Sequence, residues 1–456
     1  MAIPTVKSST AVQANTSNAS YGPALAVLTT LFFIWGSLTS LNDVLIPFAQ
    51  NVFHLAIDAS MLIQTAFFSA YFVFSIPSAK IIDWIGYKRA IIVGLSTMVA
   101  ACLLFYPAAR IPSFPFFLTA LVILAAGITV LQVAANPYVA VLGRPETASS
   151  RLNLTQAFNS LGTTVFPFVG ARLILGESVN AAAQSASQDA VIKLYVYFFA
   201  VLLVLLAILF AVFKLPKMEA AEHRLGEKVN DSIWKHPNLI YGAIGIFVYV
   251  GAEVAIGSDI ANYLALPNIG HFSSEIADPA ARYHAALAVA ARYISLYWLG
   301  AMVGRFIGSG VLQKVKTSKV LAFCSAMAAL LVTISVLTSG HFAMWSVLSI
   351  GLFNSIMFPC IFTSGIAELG PLTGDGSGLL NMAIVGGAII PLAVGRIAVI
   401  MNHAYYPTMT QGETSWGQGI HYALILPAIC YLYILFYAVS GSEPNSERYG
   451  PAGARS

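Results

Sequence analysis

The sequence predicts an all-α membrane protein with twelve transmembrane helices, arranged as two pseudo-symmetric halves of six. The first observation behind this prediction is composition: of 456 residues, 58% are hydrophobic and only 9% are charged. Soluble domains carry charge on about a quarter of their residues, and a chain this apolar would expose too much apolar surface to water. The bilayer is therefore the solvent that we expect for it.

The second observation is a recurrence of apolar runs, each long enough to cross a hydrocarbon core about 30 Å thick. The first set of predicted spans lies near residues 24–50, 59–82, 89–109, 115–141, 153–175 and 192–214. The second set lies near residues 238–265, 286–312, 319–338, 342–366, 377–400 and 420–440. Two sets of six spans therefore follow one another along the chain.

The third observation is an internal repeat of short patterns at equivalent positions in the two sets. Residues 151–174 and 378–400 both begin near a Leu-Asn pair and continue through Gly to Pro. Residues 81–94 and 311–324 both carry cations and connect the second and third spans of a set. Duplicated six-span halves are common in secondary transporters, so this repeat favours that architecture.

The two sets are separated by the longest strongly charged stretch, Lys214 to Pro237, which we interpret as a linker. The N-terminal tail is rich in Ser, Thr, Asn and Ala and lacks an apolar core, as is typical of disordered segments. The predicted regions are a disordered cytoplasmic tail at 1–20, an N-terminal half at 21–214, a cytoplasmic linker at 215–237, a C-terminal half at 238–440 and a cytoplasmic tail at 441–456.

Lysine and arginine residues concentrate in alternate loops, which indicates the orientation of the chain in the membrane. Besides the central linker, the loops richest in cations carry Lys88, Arg89, Arg144, Arg151, Lys314, Lys316 and Lys319. The positive-inside rule places these loops and both termini in the cytoplasm. Because no cleavable signal peptide is apparent, we expect a multi-pass protein of a bacterial inner membrane.

Several function classes are disfavoured by the sequence. No basic run with interleaved aromatic residues is present, so nucleic acid is not an expected partner. No HExxH, GxSxG or paired Cys/His set is present, so we expect no enzymatic activity, no bound metal and no cofactor. The cysteines lie far apart in apolar segments, and we interpret them as small buried residues: Cys102, Cys324, Cys360 and Cys430.

The first span contains a carboxylate, which is the strongest functional signal in the sequence. Thr39, Asn42 and Asp43 share one helix face. A carboxylate in hydrocarbon costs at least about 2.5–3.5 kcal/mol on insertion scales, and such residues are functional by default. We therefore predict that Asp43 carries the coupling ion and that Asn42 and Asp43 contact the substrate.

Asparagine and glutamine recur on one face of further spans. The fourth span carries Gln132 and Asn136, the fifth carries Gln156 and Asn159, and the tenth carries Asn354. Each amide both donates and accepts hydrogen bonds, which matches the hydroxyl groups of a sugar, so we predict that these residues bind the substrate. For any one of them, a hydrogen bond to a neighbouring helix is the alternative.

The seventh span carries two carboxylates, Glu253 and Asp259, which lie about 120° apart around the helix. Glu253 is nearer to the middle of the span and is our second candidate for ion coupling, as well as a predicted substrate contact. A carboxyl group held by local hydrogen bonds is the alternative. Asp259 is expected toward the outer end. Arg305, in the eighth span, is expected either to pair with a carboxylate or to snorkel toward an edge.

The segment "KIIDWIGYKRA" resembles the signature loop between the second and third spans of the major facilitator superfamily. Asp83, Gly86, Lys88 and Arg89 match that signature, whereas alanine replaces its first glycine. The resemblance implies the major facilitator fold. It also implies that these four residues form a gating loop, in which charges lock helix ends together and stabilise one gate state.

Three further segments, "SLNDVLIPFAQ", "LQVAANPYVAVLG" and "SRLNLTQAFNSLG", resemble the fucose/galactose/glucose permease family within that superfamily. The segments "YVGAEVAIGS" and "YWLGAMVGRFIGS" fit its glucose/galactose branch. The resemblance covers nearly all of residues 22–440 and fails around residues 400–420. It implies ion-coupled sugar uptake by a monomer, with Gln156 and Asn159 near the sugar and Asp43 as the coupling carboxylate.

One position departs from the family pattern. Gln132 stands where fucose-transporting members have a glutamate, and a glutamine cannot carry a proton. Three alternatives follow: Asp43 couples alone, Glu253 shares the task, or the coupling ion is sodium instead of a proton.

The predicted function is import of a hexose, glucose or galactose, across the inner membrane by alternating access, with proton coupling preferred over sodium coupling. The alternatives are an L-fucose or N-acetylglucosamine symporter, a sugar uniporter and a transport-inactive membrane sugar sensor. The expected partners are a small-molecule sugar and the lipid bilayer.

Overall fold

The computed structural model describes residues 21–41, 45, 48–49, 52–53, 62–111, 113–170, 172–173, 188–216, 231–272, 275–276, 278–405 and 418–444. The regular structure throughout these ranges is helical, and they contain no β-strand. The predicted N-terminal tail and most of the predicted linker and C-terminal tail lie outside the described residues.

The N-terminal half contains six long helices in its described residues. In chain order they are α1 (Gly22–Ser40), α2 (Leu62–Ile85), α3 (Tyr87–Arg110), α4 (Phe114–Val141), α5 (Ala148–Gly170) and α6 (Gln188–Val212).

The C-terminal half contains six more. They are α7 (Pro237–Leu264), α8 (Ala281–Val311), α9 (Thr317–Leu337), α10 (Gly340–Gly365), α11 (Gly370–Asn402) and α12 (Gly419–Gly441). A turn at Ser355 and Ile356 interrupts α10. Each of the twelve helices coincides with a predicted span, so the predicted all-helical architecture is confirmed.

Helix α5 differs from the others in polarity. The other eleven are long and apolar enough to cross a membrane, and α5 is 23 residues long but more polar. Its polar residues Asn153, Gln156 and Ser160 are buried in the protein. The polar side chains of α5 therefore face neighbouring helices and not lipid. Membrane proteins commonly place polar side chains at such contacts between helices.

Neighbouring helices of the N-terminal half touch at glycines. A Cβ atom at Gly36 of α1 would lie 2.8 Å from the side-chain nitrogen of Asn159 on α5, and one at Gly162 of α5 would overlap the backbone of α1. Helices α3 and α4 meet in the same way, because a Cβ atom at Gly94 would lie 3.0 Å from the carbonyl oxygen of Gly127. Missing side chains thus permit close backbone contact inside this half.

A Gly162→Ala variant is expected to lose about 1–3 kcal/mol of stability, because the added methyl group forces α1 and α5 apart. The measurement is the thermal unfolding midpoint of the purified protein in detergent. Gly395→Ala is the matched control: Gly395 is an exposed residue of α11, and nothing lies within 4 Å of its added Cβ atom. That control is expected to keep its stability or to gain up to about 1 kcal/mol from helix propensity. Equal midpoints for both variants would contradict the close-contact explanation.

The two halves meet along two seams, and the first is the α5–α8 seam. The Ser150 hydroxyl donates a hydrogen bond to the Ser309 carbonyl oxygen at 2.7 Å, and the Asn153 side-chain amide donates to the Arg305 carbonyl oxygen at 2.7 Å. This seam involves the start of α5 and the end of α8. Both ends are predicted to lie on the cytoplasmic side.

The second seam, the α4–α11 seam, also includes the end of α2. The Ser377 hydroxyl at the start of α11 donates a hydrogen bond to the Val133 carbonyl oxygen of α4 at 2.8 Å. Lys80 of α2 forms an ion pair with Asp375 of α11 at 2.9 Å. Both seams therefore hold the halves together at the same predicted end of the bundle.

The connection between α2 and α3 is a single residue, Gly86, which corrects the predicted loop boundaries. Gly86 has a φ angle of 79°, a conformation that glycine adopts without a steric cost. Because glycine alone suffices for the reversal, Asp83 belongs to the last turn of α2, and Lys88 and Arg89 belong to the first turn of α3. The predicted gating loop is thus a pair of helix ends.

Candidate substrate and coupling site

The predicted first-span contacts are only partly described. Asn42 and Asp43 lie outside the described residues, immediately beyond the end of α1. Trp35 of α1, seven residues before Asn42, is buried. The roles of Asn42 and Asp43 therefore stay predictions from sequence.

The second predicted carboxylate, Glu253 on α7, lies inside the bundle. Its side chain is 12% exposed, and its Oε1 atom lies 3.9 Å from the Nη2 atom of Arg305, whose side chain is 14% exposed. Arg305 of α8 also donates through Nε to the Ser355 carbonyl oxygen at 3.1 Å and through Nη1 to the Ser160 hydroxyl of α5. Of the two expectations for Arg305, pairing with a carboxylate is the one that this structure contains.

Tyrosines and an amide surround this ion pair. Tyr249 lies one turn before Glu253 on α7, and Tyr297 and Tyr431 come from α8 and α12, within electrostatic range of Glu253. The Asn354 side-chain amide donates to the Tyr297 hydroxyl at 2.6 Å. Glu253 therefore sits in a polar cluster built by four helices of the C-terminal half.

The predicted amides of the N-terminal half differ in their hydrogen-bond partners. The Gln132 amide donates to the Tyr71 hydroxyl of α2 at 3.0 Å, and the Asn159 amide donates to the Phe32 carbonyl oxygen of α1 at 3.0 Å. Gln156 is buried. These contacts include the hydrogen bonds between helices that the sequence left open as an alternative to ligand binding.

Asn136 is the exception among the predicted amides. It is fully buried on α4, one turn after Gln132, and neither its side-chain nitrogen nor its side-chain oxygen has a hydrogen-bond partner among the described residues. An unsatisfied buried polar group costs about 1–3 kcal/mol. The described residues thus leave the hydrogen-bonding capacity of the Asn136 amide unused.

The charged residues predicted to form a gating lock lie at the ends of α2 and α3, and one of them lies close to the other half. Asp83 forms an ion pair with Lys80 at 3.4 Å, and a Cβ atom at Gly374 of α11 would lie 3.4 Å from the Asp83 carboxylate. The carboxylate thus faces the N-terminal end of α11, where the helix dipole favours negative charge. Lys88 donates to the Ala211 carbonyl oxygen at 3.0 Å, whereas Arg89 is exposed.

Sequence reasoning missed several residues of the site. Tyr71, Tyr297 and Tyr431 contribute hydroxyl groups that the sequence did not single out. Single aromatic and hydroxyl residues are ordinary in apolar helices. Their partners depend on how each helix is rotated about its axis. Composition does not encode that rotation, so the partners become visible only in the folded structure.

Comparison with known proteins places the chain among transporters. The profile of the Major Facilitator Superfamily matches residues 26–391, from α1 into α11. A glucose/galactose transporter of Brucella abortus is 48% identical over 427 residues, covering 94% of this chain and 96% of that protein. The L-fucose-proton symporter of Escherichia coli is 31% identical, covering 92% of this chain and 93% of its own length.

A solved structure supports the same relationship. Crystal structures of the Escherichia coli fucose:proton symporter, one of them in the outward conformation, match with a TM-score of 0.77 and 29% identity. The match covers 92% of this chain and 98% of the symporter chain. The similarity therefore extends over both halves of the fold.

Proposed function

The chain belongs to the major facilitator superfamily, and on that premise we propose that it imports glucose or galactose across a bacterial inner membrane, driven by a proton gradient. The predicted family resemblance and twelve-helix fold are confirmed, and the chain is a multi-pass sugar transporter of this superfamily, not an enzyme. The choice of hexose, the coupling ion, a monomeric state and cytoplasmic termini are parts of the proposal.

The single observation that supports substrate binding is the Asn136 amide, which has no hydrogen-bond partner among the described residues. A sugar hydroxyl donates one hydrogen bond and accepts others, so it satisfies both atoms of this amide at once. Gln132 and Gln156 are buried amides of the same half and are proposed as further contacts. From the C-terminal half, Glu253 and Asn354 are proposed to complete the site. The 48% identity with a protein named as a glucose/galactose transporter supports a hexose as the ligand.

Proton coupling is proposed to depend on carboxylates and not on the residue at position 132. Gln132 cannot change its charge, so Asp43 and Glu253 are the proposed groups, with Asp43 first. The relatives named as L-fucose-proton symporters support a proton over sodium. In alternating access the two halves rock around a central site. The described seams hold the predicted cytoplasmic ends together, which suits a state that is closed on that side.

Counterflow in proteoliposomes tests the transported sugar. Vesicles preloaded with unlabelled sugar are expected to take up labelled glucose and galactose, and to take up L-fucose and N-acetylglucosamine more slowly. An imposed proton gradient is expected to drive accumulation, and an imposed sodium gradient is not. Counterflow without accumulation would indicate a uniporter. Sugar binding in detergent without any counterflow would indicate a sensor.

An Asn136→Leu variant tests the carrying observation. Leucine has the same branched shape and the same number of side-chain heavy atoms as asparagine, and it removes two polar atoms that have no partner among the described residues, so the thermal midpoint is expected to stay or to rise. Because the sugar loses a bidentate partner, its affinity is expected to fall about tenfold or more. The control is Asn153→Leu, which removes a donor to the Arg305 carbonyl oxygen and is expected to lower the midpoint. Unchanged affinity in Asn136→Leu would exclude Asn136 from the sugar site.

A further inference from the structure

The side chain of Arg305 connects three helices that belong to both halves. Within the C-terminal half it lies beside Glu253 of α7 and donates to the Ser355 carbonyl oxygen of α10. Across the interface it donates to the Ser160 hydroxyl of α5. One guanidinium group thus contacts a carboxylate in one half and a hydrogen-bond acceptor in the other.

The same residue occupies the α5–α8 seam. Its carbonyl oxygen accepts from Asn153, and the Ser309 carbonyl oxygen, one turn later, accepts from Ser150. Along α5, Ser160 lies further from the predicted cytoplasmic end than Ser150 and Asn153. The contact between Arg305 and Ser160 therefore continues the seam toward the middle of the membrane.

The charged and titratable groups that face Glu253 are few among the described residues. From α8 come Arg305 and Tyr297, from α12 comes Tyr431, and Tyr249 lies on the same helix as Glu253. Arg305 is the cation of this set. A change in the charge of the Glu253 carboxylate therefore acts most strongly on the Arg305 guanidinium group.

The position of the guanidinium group suggests that Ser160 and Glu253 compete for it. It contacts Ser160 within hydrogen-bonding range, whereas 3.9 Å separates Nη2 from the Glu253 oxygen. A charged carboxylate attracts the guanidinium group and weakens its bond across the seam. A neutral carboxyl leaves the guanidinium group to Ser160 and strengthens the seam.

Building on the proposed proton-coupled transport, we propose that Arg305 is a positioning residue that transmits the charge of Glu253 to the α5–α8 seam. Protonation of Glu253 holds the cytoplasmic side closed until sugar arrives, so a proton without sugar does not cross. Deprotonation releases the guanidinium group from Ser160 and loosens the seam.

Thiol labelling from the cytoplasmic side tests this relay. The reporter is Ser377→Cys, which lies in the α4–α11 seam and not in the α5–α8 seam of Arg305. The unmodified chain, whose four native cysteines are buried, measures the background labelling. A membrane-impermeant maleimide is applied to inside-out vesicles without sugar, at about pH 6 and about pH 8. Each rate is divided by that of the same reporter with Glu253→Gln, which cancels the ionisation of the thiol itself.

The normalised labelling rate is expected to rise about fivefold from the lower to the higher pH. A factor of this size corresponds to the low end of known coupling free energies. Adding Ser160→Ala is expected to abolish this rise, because the guanidinium group then has no acceptor across the seam. Adding Ser150→Ala, which removes a seam hydrogen bond that does not involve the Arg305 side chain, is expected to raise labelling at both pH values and to preserve the rise.

A pH-dependent rise that persists in the Ser160→Ala variant would overturn the relay. So would a rise that Ser150→Ala abolishes equally, since it would indicate general loosening of the seam. Counterflow by the unmodified protein is measured in the same membranes. Absence of counterflow would contradict the proposed transport function, whereas normal counterflow with no pH-dependent labelling would contradict the relay alone.

Discussion

An Arg305→Ala variant is expected to lose about 3–5 kcal/mol of stability, as is typical when one partner of a buried ion pair is removed. The change leaves Glu253, which is 12% exposed, without its counter-charge, and it removes the donors to Ser160 and to the Ser355 carbonyl oxygen. The measurement is the thermal midpoint in detergent at two pH values. The loss is expected to be smaller at low pH, because a protonated Glu253 no longer needs a cation beside it.

Two controls isolate the charge pair. The Glu253→Gln, Arg305→Ala double variant is expected to recover part of the stability, because it removes the uncompensated charge and leaves only the two lost hydrogen bonds. Arg110→Ala breaks a shorter ion pair, 2.8 Å from Asp189, between side chains about half exposed, and it is expected to cost no more than about 1 kcal/mol. Equal losses for Arg305→Ala and Arg110→Ala would show that burial of the first pair has no energetic importance.

An Asp43→Asn variant is expected to abolish uphill sugar uptake while counterflow survives. A membrane potential of about 100 mV supplies about 2.3 kcal/mol for each transported charge, enough for roughly fifty-fold accumulation. Asparagine hydrogen-bonds to sugar but carries no proton, so the internal concentration is expected to stop at the external one. The measurement is accumulation of labelled galactose in proteoliposomes under an imposed proton gradient.

The matched control is Asp259→Asn, which removes another carboxylate of a membrane helix. Asp259 is half-buried on α7, near Tyr283, and no coupling role is proposed for it. This variant is expected to accumulate sugar normally. Unchanged accumulation by Asp43→Asn, or its loss in both variants, would remove Asp43 from its proposed place as the specific proton carrier.

Most of the fold could be predicted from the sequence, because burial in lipid requires long apolar runs and those runs are directly visible. Helix ends are harder to predict. The sequence predicts a loop around Asp83 and Lys88 between the second and third spans, yet both residues are helical because Gly86 alone reverses the chain. Long-range partners are hidden as well: His421 lies inside α12 with its Nε2 atom 2.7 Å from the Val336 carbonyl oxygen, a contact that no sequence pattern indicates.

The site could be predicted only as separate candidates. Glu253 and Asn136 stand out because a polar group in hydrocarbon is costly, whatever its partners are. Their surroundings depend on which helices meet and at what rotation. Asp375 illustrates this: its sequence neighbourhood is an ordinary helix start, and only the packing of α11 on α2 pairs it with Lys80.

The contacts inside one half and those between halves respond differently to water. Where α1 and α5 touch at Gly36 and Gly162, backbone meets backbone and no solvent molecule fits between them. Along the α5–α8 seam, the hydroxyl of Ser150 and the amide of Asn153 exchange a carbonyl partner for water with little net change in hydrogen bonding. Hydration of that interface is therefore expected to cost less than slippage within a half. In the proposed alternating access, each half is then expected to move as one rigid body while water enters between the two.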